Sequence, residues 1–264
     1  MDVSFMATDL KKADPDRYLL SLLAPMSSRP ALWALFLLNR EIARTRSVVS
    51  DTRLGLIRLQ WWRDEIAKIY AGGNGGQTPI LSTLAPIIHA QSIPQEWFES
   101  LIYAREFDLE DVAPASLDGL RHYADFTTTP LNKIALKIIG EKAEETEIQS
   151  ISTNFGFIEV VRSVPLMLAE GRCYLPEELL GQKNLTPKRI MDFNHKAEIV
   201  DVIKILVHGL EPYRKPNSRF LKNSQAITFI YLNSLKKNNF DLFLPEIEIA
   251  PPFFALRVWL ASLI

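Results

Sequence analysis

Residues 155–176 read Phe155-Gly156-Phe157-Ile158-Glu159-Val160-Val161-Arg162-Ser163-Val164-Pro165-Leu166-Met167-Leu168-Ala169-Glu170-Gly171-Arg172-Cys173-Tyr174-Leu175-Pro176. The first fifteen complete a helix predicted over residues 143–169. Within it Glu159, Ser163 and Met167 are spaced four apart, and residues at that spacing stand one above the other on a single helix face. That face offers one carboxylate, one hydroxyl and one thioether. Two carboxylates at this spacing can share hard cations such as magnesium, which binds through carboxylates and substrate phosphates. Serine and methionine cannot, because a hydroxyl is a weak neutral ligand and a thioether is too soft. A single buried carboxylate such as Glu159 more often pairs with an arginine than acts alone.

The run Arg162-x-Val164-Pro165 and the ending Gly171-Arg172-x-Tyr174-Leu175-Pro176 resemble the second signature segment of the squalene/phytoene synthase family. In active members an Asp-x-x-x-Asp pair follows the arginine on this helix. Laid on this chain without gaps, those aspartates fall on Ser163 and Met167. A first signature helix of the same family resembles Ala31-Leu-Trp-Ala-Leu-Phe-Leu-Leu-Asn-Arg-Glu-Ile42, which active enzymes continue into Asp-Asp-x-x-Asp. Here those positions are Ala43, Arg44 and Ser47. Both acidic motifs are therefore absent, and one of their positions carries a positive charge. The segment from Leu54 to Ile66, with its Gln60-Trp61-Trp62-Arg63, is similar to the branch of the family that includes the mitochondrial complex I assembly factor 6.

The resemblance implies an all-α isoprenoid synthase-type fold, a helical bundle around a central cavity, in one domain spanning 1–264. It implies that residues 32–47 and 155–169 form two helices whose signature faces meet. Without the metals, the cavity is expected to be narrowed and drier at its mouth. Arg40, Arg58, Glu159, Arg162, Arg172 and Tyr174 are the candidate pocket residues, with Arg162 and Arg172 matching positions the family keeps for diphosphate contact or support. No catalytic residue and no metal ligand is assigned. The function the resemblance implies is that of a non-catalytic protein assisting assembly of respiratory complex I, with complex I subunits or assembly intermediates as partners; the alternatives are a prenyltransferase with a divergent site, which alone would need magnesium, and a carrier for a prenyl lipid.

The rest of the chain agrees with a helical reading. Asp14-Pro15-Asp16 predicts a helix start. Apolar positions Leu32, Leu35, Phe36 and Ile42 recur at helical spacing. Further helices are predicted at about 79–90, 95–109, 117–138, 176–182, 187–193, 196–211, 219–236 and 253–263, with Thr127-Thr-Thr-Pro130 as a kink or break, because proline removes a helical donor. Gly72-Gly-Asn-Gly-Gly76 lacks the Lys-Ser/Thr of a phosphate loop and reads as a connector. No alternating strand stands out.

Composition narrows the function classes. Of 264 residues, 47% are hydrophobic and 23% charged, as in an ordinary folded protein. A net charge of −1 gives no bulk attraction for nucleic acid or anionic membrane. The one cysteine, Cys173, excludes an internal disulfide and a cysteine zinc site, and no positioned base accompanies it. Histidines 89, 122, 195 and 208 show no ligand spacing. Asp108-Leu-Glu-Asp111 reads as a solvated helix end rather than a metal site. Of the adjacent pair Trp61-Trp62, one is expected in the core and one at a rim, since neighbouring helical residues point about 100° apart. Apolar runs are too short to cross a bilayer, and residues 1–9 lack the arginines or basic region of a leader. The expectation is a bacterial cytoplasmic protein with peripheral contact at the inner membrane, or one on the matrix side if eukaryotic.

Overall fold

The computed structural model describes residues 4–76, 78–192 and 194–263. The leader reading at residues 1–3 and the end of the helix predicted at 187–193 lie outside them. The helices are α1 Ser4–Ala13, α2 Pro15–Leu23, α3 Arg29–Ala43, α4 Thr45–Val48, α5 Thr52–Tyr70, α6 Pro79–Gln91, α7 Gln95–Ala104, α8 Leu117–Ile139, α9 Glu145–Ala169, α10 Glu177–Gly181, α11 Lys196–Val207, α12 Arg219–Lys237, α13 Pro245–Glu248 and α14 Phe254–Ala261. No strand occurs among the described residues. Residues 189–192 form a short 3-10 turn.

Local chemistry sets the helix ends. Asp14 accepts the Arg17 backbone N–H at 2.9 Å, with Pro15 in the first turn of α2, so a side chain takes one of the orphan donors of that turn. Thr78 caps α6 by accepting from Leu81 N at 3.1 Å. The glycine of the quoted stretch is a helix stop. Gly171 adopts φ +74°, its N–H donates to Leu168 O at 3.0 Å, and the Arg172 N–H reaches Met167 O at 2.8 Å. This paired closure is the Schellman arrangement, which favours glycine at the left-handed residue.

The chain forms two compact units interleaved along the sequence. One contains residues 1–110, 126–144 and 217–220; the other contains 111–125, 145–216 and 221–264. In the first, α3 packs against α1, α2 and α6, and α5 packs against α7. Leu32, Leu35, Phe36, Leu38 and Ile42 are all buried, so α3 is surrounded on most sides. Gly55 on α5 allows a close approach: a Cβ there would lie 2.5 Å from Leu109 Cδ2. In the second unit, α9 buries Ile151, Phe155, Phe157, Ile158 and Val161, and α11 buries Ile199, Val202, Ile203 and Leu206.

Two expectations change. No break occurs at Thr127–Pro130, and α8 runs unbroken from residue 117 to 139 with Pro130 inside. The carbonyl that proline leaves without a helical donor belongs to residue 126, and Phe126 is 52% exposed, so water can serve it. Thr127, Thr128 and Thr129 of the same turn are buried. The predicted single helix over 32–47 ends instead at Ala43. Arg44 (φ −75°, ψ 0°) separates α3 from α4, and its carbonyl accepts Ser47 N at 3.0 Å, a tighter three-residue closure.

Candidate functional site

Three of the predicted pocket and motif arginines converge on one carboxylate at the end of α3. Glu41 Oε2 lies 2.7 Å from Arg58 Nη2, reaching over from α5. Glu41 Oε1 lies 3.1 Å from Arg44 Nη1 and 3.9 Å from Arg40 Nη1. The group carries three positive charges and one negative. Ala43 is half-buried beside it and Ser47 is exposed on α4. Because α3 stops at Ala43, Ala43 and Ser47 do not share one continuous helix.

Magnesium does not fit this set. Glu41 is the carboxylate at hand, and its oxygens already face guanidinium groups. At an effective dielectric near 20, two unit charges about 4 Å apart interact by about 4 kcal/mol, and a dication doubles the repulsion from each arginine. Among the described residues, no group of three or more His, Cys, Asp or Glu side chains gathers where it could hold an ion.

On α9 the second set is equally changed. The Ser163 hydroxyl donates to Val160 O at 2.8 Å within its own helix. Met167 and Glu159 are half-buried on the same face. The Arg162 guanidinium lies 3.4 Å from the centroid of the Tyr231 ring on α12, a close cation–π contact. Tyr231 in turn lies 5.2 Å from Phe254. Arg172 is ion-paired with Glu170. Tyr174 is buried, its ring 5.4 Å from that of Tyr123.

Other candidates resolve individually. Glu65 pairs with Lys68 at 2.6 Å. Arg63 is held by Glu99 at 3.2 Å and Glu106 at 2.6 Å. Asp108 was expected in a solvated helix end, but it is buried and lies 3.4 Å from Arg105; the arginine three residues earlier makes burial of the carboxylate affordable in a short 3-10 turn. Asp111 is exposed. Trp62 is 4% exposed and Trp61 40% exposed, the split expected of neighbours on α5. Burial pushes the Cys173 thiol up to about 11, so it stays protonated at neutral pH and is no nucleophile.

This helical architecture is that of the isoprenoid synthases. A dehydrosqualene synthase crystal structure superposes with a TM-score of 0.73 over 98% of this chain and 94% of that one, at 12% identity. The squalene synthase HpnC from Alicyclobacillus acidocaldarius gives 0.68 over 99% and 89%, at 18% identity. The chain belongs to the squalene/phytoene synthase family, whose model matches residues 10–215. It is 24% identical over 266 residues to human NADH dehydrogenase (ubiquinone) complex I, assembly factor 6, covering 95% of this chain and 80% of that protein. It is also 24% identical over 165 residues to presqualene diphosphate synthase of Rhodopseudomonas palustris, covering 61% and 58%.

Proposed function

We propose that this chain is a non-catalytic member of its family that assists the assembly of respiratory complex I. The observation that carries the first half is the arginine cluster on Glu41. At the first metal motif the charge is inverted, and at the second the hydroxyl of Ser163 is turned into its own helix. Diphosphate departure in such chemistry relies on metal ions for several kcal/mol of charge stabilisation, and this donor set supplies none. The protein then works without magnesium or another cofactor.

The assembly role is supported by similarity to assembly factor 6 proteins over nearly the whole chain. No described helix is long and apolar enough to cross a membrane. The competing reading, a prenyltransferase with a divergent site, is favoured by the similarity to presqualene diphosphate synthase.

Two measurements separate these readings. Purified protein incubated with farnesyl diphosphate and magnesium is expected to give no product above a protein-free control. A tagged copy expressed in its native cells is expected to retain complex I subunits rather than prenyl-lipid enzymes. Product formation, or retention of the enzymes instead, would overturn the proposal.

A further inference from the structure

The second unit contains a cleft of about 330 Å³, within the size range of small-molecule sites. It is formed by the start of α8, the first half of α9 and the Gly209–Leu210 corner after α11. The face of α9 that lines it runs from Thr146 to Phe157, before the Ser163 and Met167 positions in the chain.

Most of its polar groups are committed. Asp125 Oδ2 accepts from Gln149 Nε2 at 3.0 Å and Oδ1 from Thr153 Oγ1 at 3.1 Å. Asn154 Nδ2 donates to Glu211 O at 3.1 Å. Arg121 is different. Its side chain is half-buried, and its Nε is buried with no hydrogen-bond partner among the described residues. A buried donor without an acceptor has lost its hydration with nothing in return. Arg121 lines the cleft together with Ser150 and His122, and its Nε–H is a donor with no acceptor among the described residues.

We infer that this cleft binds a small carboxylate through Arg121. A guanidinium matches a carboxylate bidentately. With Arg121 as the one arginine on the lining and the Asp125 side chain there as well, a monoanionic group is balanced better than a phosphate dianion. A metal cation would be repelled by Arg121. Phe157 and Leu210 give a short carbon body an apolar surface. The site is independent of the assembly role and of the signature positions.

The test is an NMR titration of ¹⁵N-labelled protein with butyrate, with its neutral amide, and with inorganic phosphate. Butyrate is expected to shift the Arg121 Nε–H and the Gly209 and Leu210 amides saturably, with a Kd of about 1 mM. The amide is expected to give no saturable shift, and phosphate weaker binding. R121Q is expected to weaken butyrate binding at least about tenfold and R121K to weaken it less, both with unchanged secondary structure by circular dichroism. If R121Q does not fold, R121K carries the comparison. Absence of saturation, equal binding by the amide, tighter binding of phosphate, or unchanged binding in the folded arginine variants would overturn the inference.

Discussion

Arg58 on α5 and Glu41 on α3 make a 2.7 Å ion pair that ties the two helices together where the family places its first metal motif. Two further arginines lean on the same carboxylate. Glu41 thus holds together charges that would otherwise repel. E41Q is expected to lower stability by about 1 kcal/mol, the upper end for partly exposed pairs. The loss should grow as salt is lowered, because screening of the exposed arginines weakens. Urea unfolding at two ionic strengths measures it. Equal or greater stability for E41Q would contradict the cluster's role.

Gly55 on α5 should resist enlargement. Alanine there gains up to about 1 kcal/mol of helix propensity, but its Cβ would meet Leu109 Cδ2 at 2.5 Å and Cδ1 at 2.8 Å. Leu109 is buried, so it has little room to move, and overpacking of this kind costs about 1–3 kcal/mol. A net destabilisation of about 1 kcal/mol is expected for G55A. In a double-mutant cycle G55A should cost less in the L109A background, since the clashing atoms are gone. Additive effects would show that the contact does not limit the packing.

Cys173 gives a pH signature. Burial is the main cause of its raised pKa of about 11, with Glu177 adding and the bond to Leu175 O opposing. The unfolded thiol ionises first, near pH 9, so the unfolded state holds fewer protons between about pH 9 and 11 and stability falls as pH rises through that window. The contribution is fully present below pH 9 and lost above 11, with a limiting slope of about 1.4 kcal/mol per pH unit. C173A should show a shallower decline over this range. Identical slopes would place the thiol in a more solvated setting. Wild-type Cys173 should also resist alkylation at pH 8 until the protein unfolds.

How much of this was legible in sequence follows from what each residue's neighbours must supply. The helical architecture was readable because Leu32, Leu35, Phe36 and Ile42 repeat at helical spacing and are all buried. The loss of the acidic motifs was readable because Ala43, Ser47, Ser163 and Met167 carry no carboxylate. The break at Arg44 was not, since it depends on a single tightened turn within an otherwise helical run. Nor was the continuity of α8 through Pro130, where tertiary packing overrides a local breaker. The arrival of Arg58 at Glu41 from another helix had no local signal. The Arg121 cleft had no sequence signal, because residues from α8, α9 and the turn after α11 make it jointly.

The cation–π contact of Arg162 with Tyr231 offers a further check in the second unit. At 3.4 Å it is a close stacking arrangement that the planar guanidinium suits better than an ammonium. R162K is expected to cost about 1 kcal/mol, and Y231L, which removes the ring but keeps bulk, should make R162K nearly neutral. An unchanged cost of R162K in the Y231L background would assign the arginine's contribution to other contacts.

The central claim is a role in complex I assembly without prenyl chemistry, and a deletion strain tests it most directly. Assembled complex I, resolved on a native gel and stained for NADH dehydrogenase activity, is expected to fall in the deletion strain and to return on expression of the wild-type chain. Full-sized, active complex I at normal abundance in the deletion strain, together with loss of a prenyl product from its lipid extract, would contradict it.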